Sequence, residues 1–201
     1  SQVAAQLVSS KEHQLNHQDV SNGLWAMAAL DSDLLDQADV MVRLASSPVV
    51  STPAGFRPQE LANTIWALAT CGTGTASHIA QKLTAYCVTT RILELESIQL
   101  AAVIWAVAAA GLDGPILKSS RRTRRPLMKP LAAIARQRVP EFGPQEVANV
   151  SWALAVETMY QRQLRDELAL GVRRCMYEFK RKELVNTLWA FAVFSSTEVV
   201  D

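Results

Sequence analysis

An eleven-residue segment occurs five times in the chain and constrains its fold more than any other feature. The clearest copy is residues 59–69, QELANTIWALA, and the others cover residues 18–28, 98–108, 145–155 and 182–192. All five tryptophans stand at one position of this segment, and each is followed by Ala, one apolar residue and Ala. Self-similarity at a regular interval is the signature of a repeat protein.

The spacing of the copies predicts the architecture. Successive tryptophans are 41, 39, 47 and 37 residues apart, which is typical of two-helix repeats stacked as a solenoid. We predict an all-α fold, with residues 1–201 forming a single α-solenoid segment of about four and a half helix-turn-helix repeats. We expect this segment to belong to a longer array. The predicted repeat units are residues 15–54, 55–93, 94–140, 141–178 and, as a half repeat, 179–201.

Local signals mark the ends of the first helix of each repeat, which we call the Trp helix. Pro58 stands at a first helical position, where its missing N–H costs nothing. Asn16 and Asp19 have the spacing of a capping box. The residue six before each Trp is acidic in four copies and is expected to cap its helix. Gly72 and Gly111 suit helix C-termini.

The second helix of each repeat, the partner helix, is expected at residues 38–46, 77–89, 127–138 and 162–176. The Trp helices are apolar over more than half of their circumference, so neighbouring helices must cover them on several sides. We expect the small Ala residues to let helices approach closely and the Trp rings to fill the wider gaps. An apolar residue ten before each Trp should fix the entry angle of the helix, as in a hydrophobic staple.

Charge is distributed unevenly, although the net charge is only +1. Residues 1–112 carry −4, residues 113–182 carry +8, and the last 19 residues carry −3. Such asymmetry indicates a localised anionic partner. The repeat pattern breaks at residues 114–126, which we interpret as a basic insertion loop that lengthens the third repeat.

The basic residues of this region are the candidate phosphate contacts. Residues 118–129 contain six basic residues and no acidic one. Arginine binds phosphate in a bidentate geometry, and each neutralised phosphate adds salt-dependent affinity. The alternatives are a solvated loop without a ligand and a targeting-like basic cluster. The predicted phosphate-binding residues are Lys118, Arg121, Arg122, Arg124, Arg125, Lys129, Arg162, Arg165, Arg173 and Arg174.

A polar stripe along the Trp helices is a weaker candidate. Four copies have Asn three residues before Trp, and three have Gln seven before it, which places both on one helix face. This stripe could face a groove and contact RNA, or it could be a buried ladder of hydrogen bonds between repeats. The residue two before Trp varies and is better suited to discriminating between bases. The groove candidates are Asn22, Asn63, Thr64, Asn149, Asn186 and Thr187.

No pattern of catalytic or metal-binding residues is found. His13 and His17 are four apart, but Gln14 follows His13, so the metalloprotease helix motif is absent. The three cysteines lack zinc spacing and form no disulfide framework. No apolar run reaches the length of a membrane span. We therefore expect no enzymatic activity, no cofactor, no metal and no membrane-spanning segment.

The segment FRPQELANTIWALA, residues 56–69, resembles the repeats of octotricopeptide and heptatricopeptide proteins, relatives of the FAST-kinase-like proteins that carry a RAP domain. The resemblance implies an α-solenoid located in the mitochondrion or plastid. It also implies a role in RNA maturation, stability or translation, or in a ribonucleoprotein such as the ribosome. Its partners would be organellar mRNA or rRNA and other proteins of a large assembly. The alternative is a protein–protein scaffold of a respiratory or photosynthetic complex, which the near-neutral charge favours.

Overall fold

The structure is a computed structural model that describes residues 15–30, 35–112, 126–159 and 161–197. These residues form nine α-helices and no strand, which confirms the all-α prediction. The helices are α1 His17–Ala29, α2 Leu35–Ala45, α3 Pro58–Cys71, α4 Gly74–Tyr86, α5 Ser97–Ala109, α6 Met128–Arg138, α7 Pro144–Val156, α8 Arg162–Cys175 and α9 Arg181–Thr197. Shorter 3-10 turns occur at Pro53–Gly55, Ile92–Glu94 and Val139–Glu141, and a π-helical turn at Cys87–Arg91.

The chain divides into two compact units, Ser1–Glu94 and Leu95–Asp201. Unit 1 contains α1 to α4. Its Trp helices, α1 and α3, pack side by side, and its partner helices, α2 and α4, also contact each other. Each Trp helix packs on its own partner helix. Unit 1 therefore has two layers of helices, in which each layer covers the apolar face of the other.

Unit 2 follows the same plan with one more Trp helix. α5, α7 and α9 pack side by side in that order, and the partner helices α6 and α8 contact each other. α5 packs on α6, and α7 packs on α8. At Gly171 of α8, an added Cβ would lie 3.1 Å from a methyl of Val147 on α7, so the missing side chain permits this close approach.

The predicted helix starts are confirmed in all five copies. In each, the side chain six residues before Trp accepts the backbone N–H of the N-cap residue, at 2.8 to 3.0 Å. Because the first turn of a helix leaves its N–H groups without intrahelical partners, this interaction satisfies an otherwise orphaned donor. The accepting residues are Asp19, Glu60, Gln99, Glu146 and Glu183.

The helix ends agree with the sequence in part. Gly72 closes α3 with a φ of 68°, the left-handed conformation that glycine adopts without strain. α4 begins at Gly74, three residues earlier than expected, because the hydroxyl of Thr73 caps it by accepting the N–H of Ala76 at 3.3 Å. The α-helix ends at Tyr86, and the π-helical turn Cys87–Arg91 continues the chain.

The expected role of the tryptophans as gap fillers is wrong. Trp25 and Trp189 are 48% and 45% exposed, and the other three are partly exposed. The Ala that follows each Trp from the second copy onward is fully buried. Close contact is therefore made by alanine, since its short side chain brings helix backbones together, and the large rings are left at the surface. These buried alanines are Ala67, Ala106, Ala153 and Ala190.

Candidate binding surface on the Trp helices

Each Trp helix presents a solvent-accessible stripe, which we call the amide–Trp face. It consists of the residue seven before Trp, the residue three before Trp, and Trp itself. These positions recur on one side of a helix, and none of them is buried. In unit 1 the face contains Gln18, Asn22, Trp25, Gln59, Asn63 and Trp66. In unit 2 it contains Ile98, Ala102, Trp105, Gln145, Asn149, Trp152, Lys182, Asn186 and Trp189.

The asparagines do not form a ladder between repeats. Asn22 is exposed, Asn63, Asn149 and Asn186 are partly exposed, and none of the four side chains hydrogen-bonds to another described residue. In unit 1 a serine links the Trp helices instead, because Ser21 of α1 donates its hydroxyl to the carbonyl of Glu60 on α3 at 3.0 Å. The amides are therefore available to a ligand.

Two tryptophans of unit 2 stack on each other. The rings of Trp105 on α5 and Trp152 on α7 have centroids 6.0 Å apart and an interplanar angle of 29°. Offset, near-parallel stacking at this distance is a favourable aromatic geometry. It gives the surface a continuous apolar strip that crosses from one helix to the next. The sequence contains a signal for this exposure, because the spacing of each Trp from its Asn and Gln places all three on the same helix face.

The two threonine candidates are not on this surface. Thr64 is 0% exposed and Thr187 is 3% exposed, so the prediction that they face a groove is wrong. The hydroxyl of Thr187 donates to the carbonyl of Glu183 at 2.8 Å within its own helix. Positions two before Trp face the neighbouring helices, which explains why Val occupies them in two copies.

The predicted phosphate-binding cations have different positions. Lys129, Arg162 and Arg173 are exposed on the partner helices α6 and α8. Arg165 forms an ion pair with Asp166, with its Nη2 2.8 Å from Oδ1, which reduces its availability to an anion. Five further candidates lie outside the described residues: Lys118, Arg121, Arg122, Arg124 and Arg125.

Arg174 has a structural role that the sequence prediction did not include. Its guanidinium donates to the carbonyls of Val139, at 3.0 Å, and Phe142, which precede α7. Arg138 donates likewise to the carbonyl of Leu95, and Arg91 to that of Phe56 at 3.4 Å. In these three repeats an arginine at the end of the partner helix, or of the π-helical turn that follows it, donates to the carbonyl of the residue ten before Trp. We call this contact the Arg clasp.

The structure separates the two predicted sets of binding residues. The asparagines lie on Trp helices, whereas the exposed cations Lys129, Arg162 and Arg173 lie on partner helices. Lys182 is the one basic residue on the described amide–Trp face. Further exposed cations, Lys180 and Arg181, stand at the start of α9.

The described residues contain no group of three or more His, Cys, Asp or Glu that could hold a metal ion. Burial raises the pKa of the Cys87 thiol to about 11 and also raises the pKa of Cys175. Both thiols are thus less ionised at neutral pH than an ordinary cysteine, and a neutral thiol is a poor nucleophile.

None of the described helices combines the length and the apolar character needed to cross a membrane.

The sequence matches no protein-family model, and no curated protein matches it.

Proposed function

We propose that the protein is a non-catalytic, RNA-binding α-solenoid of the mitochondrion or plastid. It acts in RNA maturation, stability or translation, or as a subunit of an organellar ribonucleoprotein. Two features support the solenoid. The segment FRPQELANTIWALA resembles octotricopeptide and heptatricopeptide repeats. Within each unit, Trp helices pack on Trp helices and partner helices on partner helices.

RNA binding is supported above all by the exposed cations of unit 2. Lys129, Arg162, Arg173, Lys180, Arg181 and Lys182 are all exposed in the described part of that unit. The same unit contains the basic residues 118–125. Lysine and arginine on an exposed surface release counterions from a nucleic-acid backbone, which makes binding strong at low salt.

The test is a fluorescence-anisotropy titration of the whole chain with a 20-nucleotide single-stranded RNA at 50 to 200 mM salt. A variant with Arg121, Arg122, Arg124 and Arg125 replaced by Ala should bind at least about tenfold more weakly at low salt. Its log–log salt slope should be shallower by about 0.7 for each phosphate that is no longer neutralised. A variant with Arg162 and Arg173 replaced by Ala should show a smaller change in the same direction.

The matched control removes two exposed cations of unit 1, in Arg43→Ala/Lys82→Ala. This variant should bind RNA with nearly unchanged affinity and slope. Equal losses in both units would show non-specific attraction to any positive charge. An unchanged affinity and slope in the quadruple arginine variant would defeat this placement of the RNA.

A second candidate is a protein–protein scaffold of an organellar respiratory or photosynthetic complex. The observations that favour it are the net charge of only +1 and the third copy of the repeat, where Ile98 and Ala102 replace the polar residues of the amide–Trp face.

Crosslinking in intact organelles separates the two candidates. Recovery of RNA bound to the chain supports the first proposal. Absence of crosslinked RNA, together with stable co-purification of a protein complex, supports the scaffold.

A further inference from the structure

We propose that the amide–Trp face binds the main chain of an extended, proline-containing peptide, with one docking site in each unit. The site in unit 1 is formed by Asn22 and Asn63 with their neighbouring tryptophans. The site in unit 2 is formed by Asn149 and Asn186. This peptide site is distinct from the RNA-binding surface, which we place on the cations of unit 2. The peptide proposal does not depend on the RNA proposal.

The chemistry of the asparagines favours a peptide main chain. A carboxamide has an NH₂ that donates and a carbonyl that accepts. Each non-proline peptide residue offers the complementary pair, one C=O and one N–H. A phosphate offers only acceptors, so it would leave the carboxamide oxygen unpaired. Nucleotide bases vary along a strand, whereas Asn is repeated, and a repeated amide suits a group that does not vary.

The arrangement of the helices suits one kind of extended chain. The helices that carry Asn22 and Asn63 pack side by side, as do those that carry Asn149 and Asn186. Axes of packed helices are about 8–10 Å apart. A polyproline II chain rises about 3.1 Å per residue with three residues per turn, so equivalent residues recur about every 9.3 Å. The two-residue step of a β-strand, about 6.6 Å, is shorter.

The tryptophans supply the apolar part of the site. Each Trp lies one turn beyond its Asn on the same side of the helix, where side chains three apart are neighbours. Aromatic rings at a surface are the usual docking sites for proline-rich segments, which are already extended and lose little entropy on binding. In unit 2 the stacked rings of Trp105 and Trp152 extend this apolar strip onto α5.

α5 provides an internal comparison. It packs beside α7 and has Trp105, but Ile98 and Ala102 replace the two amide positions. α5 therefore contributes apolar contact and no hydrogen bond. Restoring the amide with Ala102→Asn would place three asparagines on three adjacent helices. This variant should bind a peptide about threefold to tenfold more tightly, because one added amide makes one or two hydrogen bonds.

The experiment is two-dimensional ¹H–¹⁵N NMR of the whole chain, which resolves asparagine side-chain amides and tryptophan indole N–H groups. The probe is the 12-residue peptide (Ala-Pro-Ser)₄, compared with (Gly-Ser)₆ and with a 12-nucleotide poly(U) RNA. We expect saturable shifts of the face asparagines and tryptophans with (Ala-Pro-Ser)₄. The flexible peptide should shift them several-fold less at equal concentration, because it must lose more entropy.

The decisive variant is Asn149→Ala/Asn186→Ala, which should weaken the unit 2 site about tenfold or more. The unit 1 site should be unaffected in that protein and weakened by the same factor in Asn22→Ala/Asn63→Ala. Gln137→Ala, at an exposed residue of partner helix α6, is the matched control and should leave both sites unchanged. Ala favours helix more than Asn does, so circular dichroism should show intact folding.

Two results would overturn the proposal. The first is an absence of shifts with (Ala-Pro-Ser)₄ at millimolar concentration, or shifts that persist in both double variants. The second is perturbation of the same amides by poly(U) and not by the peptide, which would make this face an RNA site. The asparagine variants should keep their RNA affinity, so failure here leaves the cation proposal intact.

Discussion

The two units are built alike and differ mainly in charge. Unit 1 has 5 basic and 8 acidic residues, whereas unit 2 has 15 basic and 11 acidic residues. Both have a layer of Trp helices, a layer of partner helices, and capped helix starts. The shared plan depends on a small set of buried positions on the Trp helices, which are occupied mainly by Ala, Leu, Ile and Val. The remaining positions can vary, so one repeat supports an acidic unit of net charge −3 and a basic unit of net charge +4.

The largest effect that tests this likeness concerns the apolar residue ten before Trp. Phe56 in unit 1 and Phe142 in unit 2 are 1% and 2% exposed. Replacing either by Ala should lower the free energy of unfolding by about 3–5 kcal/mol, because apolar burial is reduced and a cavity is left behind. Chemical denaturation followed by circular dichroism measures the decrease.

Leu93→Ala is the control for this pair. Leu93 is 72% exposed, so this replacement should lower the free energy of unfolding by less than about 0.5 kcal/mol. A decrease below about 1 kcal/mol for one phenylalanine alone would show that the two units are not packed by the same rule.

A smaller effect is expected at the Arg clasp. Arg174→Met removes a charged donor from two main-chain carbonyls and should cost about 1–3 kcal/mol. Arg91→Met removes one longer hydrogen bond of 3.4 Å, together with the ion pair to Glu94, and should cost about 1 kcal/mol. Thermal unfolding of Arg173→Met, at an exposed neighbour, sets the baseline. Equal losses of stability in Arg173→Met and Arg174→Met would mean that the Arg clasp contributes nothing to the stability of the fold.

The smallest expected change in stability is a gain, whereas the changes above are losses. Thr64 in unit 1 and Ser151 in unit 2 are buried, and their hydroxyl oxygens have no hydrogen-bond partner among the described residues. Thr64→Val and Ser151→Ala should each leave stability unchanged or raise it by up to about 1 kcal/mol, since they remove an unsatisfied polar group.

Thr84→Val is the control for this pair, because Thr84 is a buried threonine whose hydroxyl does have a hydrogen-bond partner. The Thr84 hydroxyl donates to the carbonyl of Ala80 at 2.7 Å, so its removal should cost about 1 kcal/mol. Destabilisation by Thr64→Val of the same size as that by Thr84→Val would show that Thr64 has a partner in solution.

The features that the sequence predicted correctly depend on neighbours in the chain. Capping by Glu60, Pro58 at the first helical position, and the left-handed Gly72 each involve residues within one or two helical turns. The residue types at those positions are the physical cause of the structure, so they can be read directly from the sequence.

The features that sequence reasoning missed depend on contacts between distant segments. Large rings usually maximise burial, yet the internal tryptophans Trp66, Trp105 and Trp152 are also partly exposed, because alanine brings the helix backbones too close to leave gaps for them. The Arg clasp binds main-chain carbonyls, which every residue type has, so the acceptors leave no trace in the sequence. The clasp arginines do share a spacing of 14 or 15 residues from the next Trp. This recurring spacing is the sequence signal from which the Arg clasp could have been predicted.

The Arg clasp has a consequence for how the repeats change in length. It joins positions 35 residues apart in the second repeat, 43 in the third and 32 in the fourth. The sequence of the third repeat includes the basic residues 118–125, and its Arg138 still donates to the carbonyl of Leu95. Loop-closure entropy grows only with the logarithm of length, and a doubling costs about 0.6 kcal/mol. A repeat closed at its ends can therefore acquire new residues between its helices at little thermodynamic cost, which makes this connection a permissive site for evolving new contacts.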